Sequence, residues 1–186
     1  MVAQRLPRAQ RREQILVAAT RAFARGGYAA TGLDEVAASA GITHVILYRH
    51  FTSKNELYRA VLDRARDHLA RTVGAGDYSE DSVTLLIRAA ATDPDGFRLL
   101  FRHAAREPEF RDVVDRMRDA GTDIAHRYLD AAIPEPAWRD WAARLIPTVA
   151  QEAVIAWLDA GQPDPERAAQ RVVAAIDGVV QAALKG

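Results

Sequence analysis

The sequence of 186 residues contains no cysteine, and it has no apolar run long enough to form a membrane span. The missing thiols exclude disulfide bonds and cysteine-based metal or redox sites. A membrane helix needs about 18 consecutive apolar residues. The N-terminal stretch contains arginines but lacks the apolar core of a signal peptide. We therefore expect a cytoplasmic protein without a membrane partner.

Sequence motifs of several enzyme classes are also missing. The chain has no GxSxG, HExxH or Walker sequence. Its five histidines are too far apart in the sequence to suggest a metal site, apart from two in one short segment. We predict that the protein is not an enzyme and that it needs no cofactor.

The formal net charge is zero, but the charges are distributed unevenly. Up to Arg71 there are 12 Lys or Arg residues against 6 Asp or Glu, and the remainder has 13 against 19. A basic segment joined to an acidic one is expected when only one end of a protein meets nucleic-acid phosphates. Ordinary solvated surface charge is the alternative explanation.

Apolar residues recur with a helical period along the whole chain, which predicts an all-α protein of about nine helices. We predict a helix-turn-helix domain over residues 1–53 and a larger helical domain over residues 54–186, with a connecting helix at 54–73. The sequence Gly74-Ala75-Gly76-Asp77 predicts a flexible boundary after that helix. The later helices are predicted at 81–92, 94–106, 109–129, 136–159 and 163–184.

Three short helices joined by glycine-containing turns are predicted for the N-terminal domain. They cover residues 7–25, 33–40 and 44–50, and Ser53 can cap the next helix. Gly41 lies in the second turn, where a positive φ costs glycine little, and Thr43 can cap the third helix. This arrangement is typical of a helix-turn-helix, in which the second of two crossing helices enters the major groove of DNA.

The third short helix has one face for packing and one for contact. Leu47 and Phe51 are four residues apart and are expected to point inward. The candidate outward face then consists of His44, Val45, Tyr48 and Arg49. A packing role for Tyr48 and His50, or simple solvent exposure of His44 and Arg49, is the alternative.

A longer pattern of residues resembles the N-terminal domain of the TetR family of bacterial transcriptional regulators. The pattern comprises Gly27-Tyr28, Thr31, Val36-Ala37, Ala40-Gly41-Ile42-Thr43, Leu47-Tyr48, His50-Phe51, Ser53-Lys54 and Leu57, after a first helix with Ile15-Leu16, Ala18-Ala19 and Phe23. It covers about fifty residues, whereas the part after Ala75 matches only in its helical layout.

The resemblance implies which residues meet DNA. The implied contacts are Thr31, Thr43, His44, Val45, Ile46, Tyr48, Arg49, His50 and Lys54. Of these, Thr43, Tyr48, His50 and Lys54 correspond to phosphate contacts, and residues 44–46 correspond to base-reading positions. Val45 stands where the family often has glycine or proline, which leaves the operator sequence open. Arginines 5, 8, 11 and 12 are candidates for further backbone or minor-groove contacts.

The last two predicted helices are apolar on more than one face, which predicts a second packing partner. We predict a homodimer in which two helices from each subunit form a four-helix interface, an arrangement that also resembles the family's usual dimer. The predicted interface residues are Trp141, Leu145, Val149, Ala175, Gly178, Val179 and Ala182. Burial within one subunit is the alternative.

The middle helices contain apolar and polar residues suited to enclosing a small, largely apolar ligand. The candidate ligand residues are Phe97, Leu100, Phe101, His103, Phe110, Met117, Ile124, His126, Glu152 and Trp157. The sequence and the resemblance together predict a homodimeric repressor that a small-molecule effector releases from a palindromic operator in double-stranded DNA. The alternative is a helical protein-interaction or ligand-binding module without specific DNA recognition.

Overall fold

The computed structural model describes residues 6–74 and 81–185. The predicted boundary residues 75–77 and the predicted contact Arg5 lie outside these ranges. The described residues contain nine α-helices, which confirms the predicted all-α class. They are α1 (Arg8–Ala30), α2 (Leu33–Ser39), α3 (His44–Tyr48), α4 (Lys54–Val73), α5 (Ser82–Thr92), α6 (Pro94–Arg98), α7 (Arg111–Leu129), α8 (Pro136–Asp159) and α9 (Pro165–Leu184). None of the helices in the described ranges combines the length and apolarity needed to cross a bilayer.

The C-terminal end of α1 differs from its prediction. The sequence places the helix end at Gly26-Gly27, whereas helical turns continue to Ala30 after a break at Gly27. Gly27 has φ 75°, a left-handed conformation that glycine adopts without steric cost. Gly26 has no room for a side chain, because a Cβ there would lie 2.7 Å from Oγ1 of Thr31. The glycine pair therefore bends the chain toward α2.

Side-chain caps fix the starts of the helices next to the turn. The hydroxyl of Thr43 accepts a hydrogen bond from the Ile46 amide at 3.4 Å, and the Ser53 hydroxyl accepts from the Glu56 amide at 3.1 Å. The Glu56 carboxylate in turn accepts from the Thr52 amide at 2.7 Å, which completes a reciprocal cap. Both predicted caps are confirmed.

The predicted helix 94–106 consists of an α-helical, a π-helical and a 3₁₀-helical segment. Asp93 caps α6 by accepting from the Gly96 amide at 3.1 Å. The chain then forms a π-helical turn over Leu99–His103 and 3₁₀ turns over Ala104–Arg106 and Pro108–Phe110. Glu107 is extended, with φ −104° and ψ 109°, because the following proline disfavours the helical conformation.

Two apolar cores lie along the molecule and share α4 as a neighbour. The first contains buried residues of α1 to α4 together with Leu99, Leu100 and Phe110, and the second contains buried residues of α5 to α9. Leu57 to Ala65 of α4 belong to the first core, so this core continues past residue 53. The second half of α4 extends toward the other core, where Leu69 packs against it.

Phe110 belongs to the first core, which corrects its prediction as a ligand residue. It is fully buried, and its ring centroid lies 4.6 Å from that of Tyr58 and 5.0 Å from that of Tyr28. Phe23 completes this cluster, with its centroid 4.9 Å from that of Tyr58. The two tyrosine rings and the Arg59 guanidinium, whose carbon lies 5.3 Å from the centroid of the Phe110 ring, leave this buried side chain no face for a ligand.

Candidate nucleic-acid interface

The turn between α2 and α3 is held by backbone hydrogen bonds and by α1. Gly41 has φ 64°, as predicted for this turn, and its amide donates to the Ala38 carbonyl at 3.0 Å. The side-chain amide of Gln14 in α1 donates to the Ala40 carbonyl at 2.7 Å. Leu47 and Phe51 anchor the other side of α3 in the first core, where both are buried as predicted. The orientation of α3 is therefore fixed from both sides.

The outward face of α3 carries four different chemical groups. Val45 is 63% exposed and Tyr48 is 46% exposed. The His44 ring packs edge to face on Tyr48, with centroids 4.5 Å apart, and its Nδ1 lies 3.4 Å from Oδ1 of Asp34. Arg49 is also exposed. The predicted outward orientation of these four residues is confirmed, and their surface offers a methyl pair, a phenol, an imidazole and a guanidinium.

A cluster of positive charge lies beside this face at the start of α1. Burial, reinforced by the charges of Arg8, Arg11 and Arg12, lowers the pKa of His50 below its ordinary value. Arg12 also places its guanidinium carbon 5.1 Å from the centroid of the Phe51 ring. His50 is half-buried, as is Ile46 of the predicted base-reading positions. The arginines give this edge of the domain a positive field that an anion would neutralise.

Thr31 is not available as a DNA contact, which corrects its prediction. It is only 1% exposed, and its hydroxyl donates to the Ala22 carbonyl at 3.3 Å. A buried hydroxyl needs such a partner, because an unpaired one would lose its hydration without compensation. Thr31 therefore stabilises the bend that follows Gly27.

Lys54 has a structural contact in addition to its place at the start of α4. Its ammonium donates to the Ala29 carbonyl at 3.1 Å and lies 4.6 Å from the centroid of the Tyr28 ring. An ammonium has three donors, so this contact leaves hydrogen-bonding capacity. The side chain joins the end of α1 to α4 and keeps a positive charge at the helix N-terminus, where the helix dipole also attracts anions.

A cavity of about 420 Å³ lies in the second half of the molecule, between α4, α5, α7 and α8. Its volume is in the range of small-molecule sites. Its apolar wall includes Leu69, Val73, Val83, Leu86, Phe101, Val113, Met117, Ile124, Ile146 and Pro147. Arg66, Ser82, Arg116 and Gln151 are polar lining residues, and Ser82 already has an interaction within the protein. At the closest approach of α7 to α8, a Cβ added to Gly121 would lie 3.3 Å from Cβ of Pro147.

Comparison with known proteins identifies the N-terminal part of the chain. Residues 15–61 match the sequence model of the bacterial regulatory proteins of the tetR family. Residues 15–61 of the chain therefore form a helix-turn-helix domain of the TetR family. The transcriptional activator FasR of Mycolicibacterium smegmatis is 52% identical to this chain over 69 residues, which are 37% of this chain and 32% of FasR. The match therefore spans about a third of that relative's own length.

Solved TetR-family structures share the fold over nearly the whole chain. A TetR-like transcriptional regulator from Rhodococcus sp. RHA1 superimposes with a TM-score of 0.77 and 22% identity, covering 98% of this chain and all of the other. FadR from Bacillus subtilis, whose structure contains stearoyl-CoA, gives a TM-score of 0.63 at 18% identity, covering 94% of this chain and 98% of FadR. At these identities the comparison shows the fold alone.

Three of the predicted ligand residues line the main cavity: Phe101, Met117 and Ile124. Leu100 and Glu152 instead border a second cavity of about 170 Å³, which Gln151 also lines. The sequence did not predict that residues of α4 form one wall of the main cavity or that Pro147 lines it. A helical period identifies an apolar face, but it does not identify which helix that face meets.

The other predicted ligand residues are placed away from the main cavity. Phe97 is buried in the second core. Trp157 is buried there too, and its indole N–H donates to the Pro163 carbonyl at 2.8 Å, which fastens the turn before α9. Nε2 of His126 lies 3.6 Å from Oδ1 of Asp140. His103 is half-buried, and burial together with Arg106, Arg102 and Arg98 lowers its pKa. Phe97 and Trp157 are corrected as residues of the main cavity, because both are packed in the second core, whereas a ligand contact of His103 or His126 stays a prediction.

The predicted dimer residues leave an apolar strip on the outside of α8 and α9. Trp141 is 40% exposed. Ala175, Gly178 and Ala182 are exposed, whereas Leu145, Val149 and Val179 are half-buried. The small residues of α9 leave its backbone accessible to another helix.

Proposed function

We propose that this TetR-family chain is a homodimeric transcriptional regulator that binds palindromic double-stranded DNA and releases it when a small, largely apolar ligand enters the main cavity. The observation that carries the proposal is the exposed face of α3 on a domain of this family, capped by Thr43 and anchored by Leu47. Helix-turn-helix domains use such a helix to read the major groove.

The proposed division of DNA contacts follows from the chemistry of each side chain. Val45 is placed to meet thymine methyl groups, and Arg49 can donate to guanine or to a phosphate. Thr43, Tyr48, His50 and Lys54 are proposed phosphate contacts, supported by their position around the start of α3 or α4. Charge from the α1 arginines strengthens binding to any sequence.

The dimer is proposed from the apolar strip on α8 and α9. Two copies of this strip, related by a twofold axis, would form a four-helix interface and cover Trp141 and Gly178. A twofold dimer presents two copies of α3, which matches a palindromic operator with half-sites about one helical turn apart or slightly more.

Ligand control is proposed from the position of α4. Its first half packs in the core that supports α3, and Leu69 and Val73 of its second half line the cavity. A ligand that displaces this wall would change the separation of the two α3 helices. FadR, which has the same fold, contains stearoyl-CoA in its structure, and this supports the binding of a small molecule by a chain of this fold.

We further propose that the protein acts in the cytoplasm. We propose repression rather than activation, because a regulator that occupies a promoter blocks RNA polymerase without any additional contact. FasR is named an activator, but its similarity is to the N-terminal part, which does not determine the sign of regulation. Transcription in vitro from a bound promoter should fall when the protein is added. A rise in transcript would reject repression and leave DNA binding intact.

The experiment that tests the function is selection of bound genomic fragments, followed by fluorescence anisotropy of a selected duplex at increasing salt. If the protein makes several phosphate contacts, the logarithm of its DNA affinity should fall linearly with the logarithm of the salt concentration, because counterions are released on binding. Failure to enrich any sequence, together with absent binding at low salt, would favour a protein-interaction or ligand-binding module.

A further inference from the structure

We propose that the ligand of the main cavity is an uncharged, mainly apolar molecule with one hydrogen-bonding group that meets the amide of Gln151. This inference names the chemical class of the ligand and rests on the proposed function only for its effect on DNA. Three features of the cavity wall support this ligand class: its apolar area, the pairing of its arginines and the position of Gln151.

Most of the wall offers only dispersion contacts. Leu69 and Val73 of α4 face Met117 and Ile124 of α7 across a space of about 420 Å³ that Phe101 also borders. Placing an ionised group among such side chains removes its hydration, and the apolar groups provide no hydrogen bond or ion pair in exchange. The body of the ligand is therefore apolar and carries no charge.

The two arginines of the wall already have carboxylate partners. Nη1 of Arg66 lies 3.1 Å from Oδ1 of Asp63, and Nη2 lies 3.1 Å from Oδ1 of Asp67. Nη2 of Arg116 lies 3.1 Å from Oδ2 of Asp112. An anionic ligand would have to compete with these carboxylates, and a cationic ligand would meet guanidinium groups. Among the described residues of this wall, no guanidinium lacks a carboxylate partner.

Gln151 supplies the polar contact that remains. It lies on α8 one turn after Pro147, is half-buried, and borders both the main cavity and the smaller one. Within residues 6–74 and 81–185 its side-chain amide forms no hydrogen bond to the protein. An amide both donates and accepts, so it can pair with a carbonyl, hydroxyl or amide of the ligand.

The experiment compares three ligands that share a naphthalene body and differ in the charge and hydrogen-bonding groups of one substituent. Naphthalene-2-carboxamide, 2-naphthoate and 2-naphthylmethylammonium are titrated into the full chain at pH 7 by isothermal calorimetry, without DNA. We expect the carboxamide to bind at least about tenfold more tightly than either ion. Gln151→Leu, which keeps the size of the side chain, should weaken the carboxamide by about tenfold and leave unsubstituted naphthalene unchanged. Ile124→Trp should block all of the ligands by filling the cavity.

Each outcome decides the proposal. Stronger binding of either ion, an unchanged carboxamide affinity in Gln151→Leu, or no binding of any compound at its solubility limit overturns it. The DNA affinity of the same variants, measured separately by anisotropy, shows whether they are folded. If the carboxamide binds as expected and does not release DNA, the ligand class stands and the proposed ligand control fails.

Discussion

The Nε of Arg64, in the middle of α4, donates to Oε1 of Glu13 in α1 at 2.7 Å. The same guanidinium donates through Nη1 to Oδ2 of Asp93, the residue that caps α6, at 3.1 Å. Arg64 thus joins the helix that carries the positive cluster to the start of the helical body. Arg66, two residues later, already belongs to the cavity wall. This ion pair therefore lies two residues along α4 from the cavity wall and contacts the helix that carries the positive cluster.

Glu13→Gln should weaken the coupling between ligand and DNA. The glutamine removes the charge while keeping the size of the side chain, so α1 should follow displacements of α4 less closely. The side chain of Glu13 is 54% exposed. An exposed ion pair contributes about 0.2–1 kcal/mol to the free energy of unfolding. We therefore expect the ratio of DNA affinities without and with ligand to shrink about two- to fivefold. The measurement is operator anisotropy at saturating and zero ligand.

Glu166→Gln is the matched control, because Glu166 is an exposed residue in the first turn of α9, away from both sites. It should keep the wild-type affinity ratio. An unchanged ratio in Glu13→Gln would show that the Arg64–Glu13 contact holds the domains together without transmitting the ligand's effect.

Ala175→Arg should separate the proposed dimer into monomers. Ala175 lies next to Gly178 and Ala182 on the exposed strip of α9. Its replacement places two arginines near the twofold axis, where both would lose their hydration. We expect the dimer dissociation constant, measured by sedimentation velocity, to rise by about a hundredfold or more. Operator affinity should fall with it, because a monomer reads one half-site.

Gln170→Arg adds the same side chain on a different exposed side of α9. This control should remain dimeric. If both variants sedimented as the unmodified protein does, the dimer would use another surface, and the strip on α8 and α9 would need a different explanation.

Local signals in the sequence predicted much of the fold, whereas the cavity depended on tertiary packing. Thr43 and Ser53 cap the helices that they were predicted to cap, because capping acts over three residues. Gly41 adopts a positive φ for the same local reason. The packing partner of an apolar side chain is not determined by its neighbours in the sequence. Phe110, for example, packs against Tyr58 of α4.

The DNA-facing residues were predictable to a similar, limited extent. The period of α3 distinguished exposed Val45 from buried Leu47. A family pattern records that a threonine recurs at a position, but it does not give the direction of its hydroxyl. Thr31 shows the difference, because its hydroxyl is turned inward to the Ala22 carbonyl.

Acidification from pH 7 to pH 5 should lower the free energy of unfolding through His50 and His103. Burial, together with nearby arginines, lowers the pKa of both imidazoles below the ordinary value of 6.5. The unfolded chain therefore binds protons at these positions first as the pH falls through 6.5. The folded state loses stability until the pH reaches the lowered pKa values, below which the loss is constant.

Urea unfolding at pH 7, 6 and 5 measures this dependence. The double variant His50→Asn and His103→Asn should show a flatter profile over the same range. Three carboxylates have a lowered pKa: Glu56, whose ordinary value is 4.5, and Asp112 and Asp159, whose ordinary values are 3.8. All three ordinary values lie below pH 5, so their stabilisation is lost only below the measured range. Equal slopes in the variant and the wild-type chain would place the acid sensitivity in other groups.

Substitutions at Val45 and Lys54 should affect DNA binding in different ways. Val45 offers methyl groups to base edges. Val45→Gly should therefore change the preference between a thymine and another base at one position of each half-site. We expect a change of about fourfold, which corresponds to the loss of one methyl contact. Lys54 offers charge to phosphate. Lys54→Ala should therefore weaken all duplexes alike and reduce the slope of log affinity against log salt by about one.

Lys54→Gln separates charge from structure at that position. The glutamine retains a donor for the Ala29 carbonyl but loses the charge above the Tyr28 ring. It should weaken DNA binding as much as alanine does, while recovering part of the stability that alanine loses in urea unfolding. Competition between selected and scrambled duplexes, read by anisotropy, measures both effects. If Val45→Gly weakened every duplex equally and Lys54→Ala changed the preferred sequence, the assignment of base reading to α3 and of phosphate contact to the start of α4 would have to be reversed.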